Sequence, residues 1–308
     1  MEGEPVWGSY LSKVRIVSYS APYMRIGFIG QGFIGKNYAD DFERRGLEVV
    51  RYGLEEPYVA NKENIKDCDI VFIAVPTPTT PEGFSAHIVD EALKLVGKGK
   101  TAVIKSTILP GTTAGLQQKY PDCLVLYSPE FLSEKTAAED AAHPFSNIIG
   151  VAIDDDAHRA AAQQVLAVLP QAPHTQVCTS TEAELIKYSH NLNGYFQIML
   201  SNILYDASVA LGAHWDEVET ALGHDPMITN RYIKPVHQSG HPGAVPGRGA
   251  GGHCFIKDFA AFRELYERVQ APDASGIALL RALEQKNKEL LRASRKDADL
   301  LESVYGKE

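Results

Sequence analysis

The chain has 308 residues, enough for a full hydrophobic core and two domains at roughly 100–150 residues each. With 44% hydrophobic and 22% charged residues, 25 Gly and 17 Pro, its composition is that of a globular protein and excludes the disordered and fibrous classes. A net charge of −9 argues against nucleic acid or an anionic membrane as the main partner.

The four cysteines, Cys68, Cys123, Cys178 and Cys254, are scattered with no CxxC pair, a pattern that reads as reduced and intracellular. Residues 1–23 read as an N-terminal extension without the apolar run of a signal peptide, and no stretch reaches the roughly 18 apolar residues of a membrane span. A cytoplasmic location is expected.

A first domain is expected over residues 24–178. Ile26-Gly27-Phe28-Ile29 predicts a short buried strand, followed by Gly30-Gln31-Gly32-Phe33-Ile34-Gly35 and a helix to Arg45. This is GxGxxG in the setting it requires, strand before and helix after. Gly30 permits the tight turn, Gly32 lets a pyrophosphate approach the backbone, and Gly35 lets helix pack close to strand, with the helix N-terminus facing the anion. These six residues are expected to bind a dinucleotide. The next strand, Leu47–Tyr52, should end on an acid that holds the ribose hydroxyls, but Gly53 stands there, with Glu55 and Glu56 slightly later. Arg51 is either an acceptor for a 2′-phosphate or an ordinary strand-end arginine. NAD is therefore the expected cofactor, with NADP left open.

Apolar strands recur at Ile70–Val75, Ala102–Lys105, Leu124–Tyr127 and Ile148–Ala152, separated by helical stretches. Such alternation predicts an α/β fold with a doubly wound parallel (Rossmann) sheet, whose ligands lie at the carboxyl ends of the strands. Those ends carry Val75-Pro76-Thr77-Pro78, the segment Lys105-Ser106-Thr107-Ile108-Leu109-Pro110-Gly111-Thr112-Thr113, and Ser128-Pro129-Glu130-Phe131-Leu132-Ser133-Glu134. Each segment alone also reads as turn and cap chemistry.

A helical second domain is expected over residues 179–308. Thr179/Glu182 and Thr181/Glu184 both fit a capping box, and an apolar face through Tyr188, Leu192, Phe196, Leu200, Ile203 and Leu204 predicts one long helix to Gly212. Such a helix suits a spine between domains and a homodimer contact. Lys187 and Asn191 share one face near its start. Residues 235–252 are rich in Gly, Pro and His, but His237, His241 and His253 lack accompanying carboxylate or cysteine ligands at metal spacing, so no metal is expected.

Next comes Gly249-Ala250-Gly251-Gly252-His253-Cys254-Phe255-Ile256-Lys257-Asp258. A helix beginning near Cys254 places Phe255, Phe259, Phe262, Leu265 and Tyr266 on a core and Cys254 and Asp258 on one face. A thiol at a helix N-terminus favours thiolate, although a lone cysteine beside a turn is ordinarily just buried. The last stretch, roughly Ser275 to Val304, is dense in charge and predicts a mostly solvated helix.

Taken together, the ordered segments GxGxxG, VPTP, ST-x-x-PGTT, SPEFL-x-E, E-L-x-K-x-x-x-N and GxGGxCFxKD resemble the UDP-glucose/GDP-mannose dehydrogenase family from about Met24 to the region of Asn287. The resemblance implies oxidation of the C6 alcohol of a nucleotide sugar to a carboxylate through two hydride transfers to NAD. It implies Cys254 as nucleophile, Lys187 and Asn191 as oxyanion donors, Asp258 and Glu130 in proton transfer and thioester hydrolysis, and Thr107 at the reaction centre. Val75, Pro76, Thr77, Ser106, Thr107 and Glu134 match cofactor contacts beside the glycine turn and Arg51. Phe131, Leu132, Glu134, Lys187, Asn191, Gly251, Gly252 and Lys257 match substrate contacts.

Three departures stand out: the missing ribose acid with a short following segment, an expanded loop before Gly249, and Met227 where the family has an arginine that reaches the partner subunit, with Arg231 as substitute. The family also continues past Asn287 into a third domain that holds the nucleotide, and the sequence stops short of it. Two rivals stay open: a two-electron β-hydroxyacid dehydrogenase, and a nucleotide-sugar-binding protein without catalysis.

Overall fold

A computed structural model of the chain describes residues 24–240 and 243–307; the expected extension over residues 1–23 and His241 lie outside them. Seven strands form the central sheet, in the order β2-β1-β3-β6-β7-β8-β9. In chain order the elements of this half are β1 (Ile26–Ile29), α1 (Phe33–Arg44), β2 (Val49–Tyr52), a 3-10 segment (Tyr58–Asp67), β3 (Ile70–Ile73), the small hairpin β4 (Thr79–Thr80) and β5 (Gly83–Phe84), α2 (His87–Leu93), β6 (Thr101–Ile104), α3 (Thr112–Lys119), β7 (Leu124–Tyr127), α4 (Ala137–Ala142), β8 (Ser146–Val151), α5 (Asp156–Val168) and β9 (His174–Thr179).

The first five strands of the sheet are four-residue, mostly apolar and mostly buried runs, as a parallel sheet covered on both faces requires. On one face Phe28 and Phe72 stack with centroids 4.9 Å apart and Phe42 of α1 meets Phe28 edge-on at 5.2 Å, all fully buried. Burial of each such ring stabilises the sheet–helix contact by about 1.5–3 kcal/mol.

The sheet departs from the expected all-parallel pattern at its far side. β8 pairs antiparallel with β7, while β9 runs parallel to β8. The connection from β7 to β8 never crosses the sheet; α4 packs on α1, so β8 starts beyond the carboxyl end of β7 and runs back. α5 then supplies a true crossover to β9, a strand that nothing in the periodicity announced.

The reversal determines where the second half begins. Thr179 is level with Val151, which pairs with Leu126 of β7. From there α6 (Ser180–Ala210) turns back over the sheet at Gly150, where an added Cβ would lie 2.7 Å from Ser180 Cα. Between Thr179 and Lys187 the helix climbs about 12 Å, close to the ~13 Å that the chain climbs from Leu126 to Glu130.

Past α6 come α7 (Trp215–Leu222), a short 3-10 turn (Asn230–Tyr232), the hairpin of β10 (Val236–His237) and β11 (Gly247–Arg248), α8 (Gly252–Val269), α9 (Ala274–Ser294) and α10 (Ala298–Tyr305). Tyr195 of α6 stacks on Phe259 of α8 at 3.9 Å, and Ile198, Met199, Leu280 and Leu290 complete this second core. The expected single solvated helix at the end is instead α9 and α10, broken where Arg295 and Asp297 adopt positive φ, with Leu290, Leu291, Leu301 and Val304 buried. Its charged residues hide an apolar stripe that the charge count obscured.

Candidate active site

The glycine turn has the geometry its spacing predicts. Gly30 has φ 94 and an added Cβ would stand 2.2 Å from Ala74 O; at Gly35 it would stand 1.9 Å from Gly30 O. Both positions therefore admit only glycine. Gly32 is different: nothing lies within 4 Å of its missing Cβ, and as N-cap of α1 it offers no side-chain cap to the first N–H groups of the helix. That open, uncapped helix start suits a pyrophosphate. Phe33 is exposed and Ile34 half-buried beside it, and Gln31 lies over Gly53 with its Oε1 buried and without a partner among the described residues.

Arg51 does not face this turn as a free cation. Its Nε and Nη2 donate to Glu43 (2.9 and 2.7 Å) and its Nη1 to Asp40 (2.6 Å), so the guanidinium is spent on α1. Of the two expectations for Arg51, this arrangement is that of an arginine holding its strand to α1, with all three guanidinium nitrogens engaged rather than open to a 2′-phosphate while those pairs persist.

Ser106 closes the next strand end onto Val75, accepting its N–H (2.9 Å) and donating to its carbonyl (2.7 Å). Thr77 donates to the carbonyl of the buried Thr107 (2.7 Å). A cavity of about 350 Å³ opens between Pro76, Thr77 and Thr79 on one side and His253, Lys257 and Ser303 of α8 and α10 on the other.

A buried ion pair and a second, partly exposed one lie near Cys254. Lys187 Nζ lies 2.8 Å from Glu130 Oε1 and donates to the Glu130 carbonyl at 2.7 Å, both side chains buried. Glu130 Oε2 accepts the Leu132 N–H at 2.8 Å. Burial works against both charges, but each holds the other: Lys187 keeps the Glu130 carboxyl below its ordinary range, and Glu130 keeps the Lys187 ammonium above its own. Four residues along α6, Asn191 Nδ2 donates to Asp258 Oδ2 at 2.6 Å, while Lys257 pairs with the other oxygen of Asp258. Phe131 lies below Lys187, its centroid 5.7 Å from Nζ and 5.0 Å from His190, whose imidazole is pushed down to about 4 by burial and by Lys187.

Cys254 is the third residue of α8, one turn before Asp258. It keeps solvent-exposed surface, yet protein crowds the sulfur on its inner side. That crowding first, and Asp258 second, push the thiol up to about 11 against the pull of Lys187 and Lys257. The resting group is a thiol. The helix start does not deliver the expected thiolate, because burial and Asp258 outweigh the pull of Lys187 and Lys257; one N–H of that start, that of Gly252, is taken by Asp297 Oδ2 at 2.8 Å.

Of the remaining expected site residues, Gly251 and Gly252 are buried behind Cys254, Glu134 is exposed and lies against Gly240, and Arg231 is exposed over its neighbour Tyr232 at 5.7 Å. The last two are not drawn into the cluster. His237 bonds Lys296 rather than a metal, and among the described residues no group of His, Cys, Asp and Glu could hold one.

Two buried lysines were not singled out by sequence. Lys105, at the end of β6, sits 4.2 Å over Tyr38 and donates to Ser128 Oγ at 3.1 Å, with its ammonium pushed down to about 7 by burial against the pull of Glu130. A lysine closing an apolar strand was its only signal. Lys296 carried none.

The sequence of the chain matches two models of one family: the UDP-glucose/GDP-mannose dehydrogenase family NAD binding domain over residues 58–168, and the central domain of the same family over residues 181–289. It is 28% identical over 288 residues to a UDP-glucose 6-dehydrogenase of Haloferax volcanii, covering 77% of the chain and 64% of that protein. It is 29% identical over 238 residues to a UDP-glucose 6-dehydrogenase of Rickettsia typhi, covering 74% of the chain and 51% of that protein. The chain thus spans about half to two thirds of the length of these relatives. Among solved structures, a UDP-glucose dehydrogenase from the hyperthermophilic archaeon Pyrobaculum islandicum superposes with a TM-score of 0.74 at 27% identity, over 90% of the chain and 71% of that protein.

Proposed function

The chain belongs to the UDP-glucose/GDP-mannose dehydrogenase family, and on that premise we propose that it oxidises the C6 alcohol of a nucleotide sugar to the carboxylate with NAD. The observation that carries this reading is the convergence of Cys254 with the Lys187–Glu130 and Asn191–Asp258 pairs.

NAD, when bound, accepts a hydride from carbon at each of two oxidation stages. The chain's own groups do the rest. The alcohol loses a hydride and a proton to become an aldehyde, whose oxygen is met by the Lys187 ammonium and the Asn191 amide. Cys254 adds its sulfur to the aldehyde carbon while its proton passes, through water and Asp258, to the aldehyde oxygen, and a thiohemiacetal forms. Loss of a second hydride and proton gives a thioester. Water, oriented by Glu130, attacks the thioester carbonyl, the C–S bond breaks, and carboxylate and thiol are released. A thiol held protonated by burial and by Asp258 resists oxidation and alkylation.

Thr107, Phe131, Leu132, Lys257, Gly251 and Gly252 would line the sugar, and Gly30 to Gly35 with Val75, Pro76, Thr77 and Ser106 the cofactor. Glu134 and Arg231 belong to this reading only if the loops that carry them close over the ligand. The exposed stripe of Phe196, Leu200, Ile203 and Leu204 on α6 suits a homodimer contact.

The test is a panel of UDP-, GDP- and TDP-hexoses with NAD or NADP, following cofactor reduction and product. Two reduced cofactors per sugar are expected, and Cys254→Ser is expected to keep cofactor affinity while losing the carboxylate product. No turnover across the panel by folded, cofactor-binding protein overturns the reading; one reduced cofactor per substrate favours a two-electron dehydrogenase instead.

A further inference from the structure

The loop that delivers Cys254, residues 247–252, is held from several sides. From α6, Asn202 Oδ1 accepts from Arg248 Nε (2.9 Å) and Asp206 Oδ1 lies 2.7 Å from Arg248 Nη2. From α9, Asn287 brackets Ala250, its Oδ1 accepting the N–H (2.7 Å) and its Nδ2 donating to the carbonyl (3.0 Å). Ser294, the last residue of α9, takes the Arg248 N–H on its Oγ (3.1 Å), and two further anchors, Lys296 and Asp297, lie in the turn between α9 and α10; all three are beyond residue 289, where the family match ends.

Lys296 is fully buried, with no carboxylate in salt-bridge range among the described residues. Its ammonium donates to Gly249 O (2.9 Å), to Gly247 O (3.4 Å) and to His237 Nε2 (2.9 Å). The other ring nitrogen of His237, Nδ1, faces the carbonyl of Lys234 at 3.0 Å; a carbonyl only accepts, so Nδ1 carries the proton and Nε2 is free to accept. Asp297, also buried, takes the hydroxyl of Ser239 on Oδ1 (2.9 Å) and the Gly252 N–H on Oδ2 (2.8 Å).

The fit leaves no slack. A Cβ at Gly251 would stand 2.1 Å from Asp297 Oδ2, and one at Gly247 2.8 Å from Lys296 Cβ. Arg295 and Asp297 flank the lysine at φ 54 and 50, a left-handed backbone that costs a non-glycine residue about 1–2 kcal/mol and persists only where surroundings over-determine it. A buried ammonium aimed at carbonyls is likewise costly where apolar packing would serve.

We propose that Lys296 and Asp297 are positioning residues for Cys254: the lysine grips two carbonyls of the loop, and the carboxylate caps α8 at Gly252, so together they set the height and direction of the thiol. The proposal rests on the reading of Cys254 as nucleophile, but neither residue touches the reacting atoms. Asp297 has a second effect, since a carboxylate at the start of α8 opposes ionisation of the thiol.

The experiment is site-resolved alkylation of Cys254 by iodoacetamide, followed by mass spectrometry across pH 6–10, on the whole chain and on Lys296→Met and Asp297→Asn. Folding is checked by circular dichroism and by calorimetric NAD affinity. Both variants are expected to change the alkylation rate about tenfold, with the Asp297→Asn profile displaced to lower pH, and to lower kcat on the accepted sugar nucleotide about 100-fold with the KM for NAD unchanged. Folded variants that alkylate at the wild-type rate and pH dependence, and differ only in melting temperature, overturn the proposal. If Lys296→Met does not fold, the near-isosteric Asp297→Asn decides by the same criteria. Alkylation needs no turnover, so a protein inactive on every sugar nucleotide would sink the proposed reaction and still decide the clamp.

Discussion

Lys187 and Glu130 show what one buried pair does for both stability and chemistry. Removing water from both charges is costly, and their contact at 2.8 Å with two further hydrogen bonds offsets it. Lys187→Ala would strand the Glu130 carboxylate, and a loss of about 3–5 kcal/mol is expected in urea denaturation at pH 7. The sign with pH follows. Glu130 sits below its ordinary 4.5 in the fold, so its contribution is fully present above that value and is lost as pH falls through the folded one. In Lys187→Ala burial dominates and raises Glu130, so the variant regains stability on acidification and the two denaturation midpoints converge below about pH 5. Parallel midpoints from pH 7 to 4 would refute the pairing argument. The sequence placed Lys187 and Glu130 in different motifs, and their partnership became visible only where α6 crosses the end of β7.

At the level of elements, the start of α6 separates local from tertiary information. Two overlapping T-x-x-E patterns fitted a capping box, and the helix uses the first: Thr179 accepts the Glu182 N–H and Glu182 accepts the Thr179 N–H at 2.8 Å. Glu184, the acid of the second, is fully buried and turned to α3, where it accepts from Gly111 N (2.6 Å), Thr113 N (2.9 Å) and Thr113 Oγ1 (2.6 Å). It docks the spine onto the sheet domain. Thr179→Ala is therefore expected to cost about 1 kcal/mol, and Glu184→Ala, which orphans three donors, on the order of 3 kcal/mol. Thermal melts of the two variants rank them; equal losses would mean that the interdomain contact contributes nothing beyond the cap.

Across the whole molecule, the most conspicuous unsatisfied surface is on α6, which at 31 residues is about 46 Å long. One face is packed on α8 and the sheet, while Phe196, Leu200, Ile203 and Leu204 stay exposed at i, i+4 and i+7/i+8 spacing. Such a stripe is what a second copy of the helix would cover. Leu200→Glu is expected to give monomers where the parent sediments as a dimer, with the circular dichroism spectrum unchanged; a parent that sediments as a monomer at micromolar concentration removes the assignment. No helix among the described residues is long and apolar enough to cross a membrane.

Much of this protein was fixed by local chemistry that sequence records directly. Gly30 and Gly35 are glycines because backbone approaches within 2.2 and 1.9 Å of their missing Cβ atoms, and short apolar strands between helices leave little but a doubly wound sheet. The grouping of Cys254 with Asp258 follows from one helical turn. What sequence could not encode is contact between distant segments. The capture of Arg51 by α1 depends on a strand and a helix folding side by side, and the reversal of β8 and the seating of Lys296 and Asp297 beneath the Cys254 loop depend on residues tens of positions apart meeting in a packed interior. So does the protonation of Cys254. A helix start promised a thiolate, but burial of the sulfur first, and Asp258 beside it second, reversed the sign, because desolvation and charge act through neighbours in space rather than in sequence.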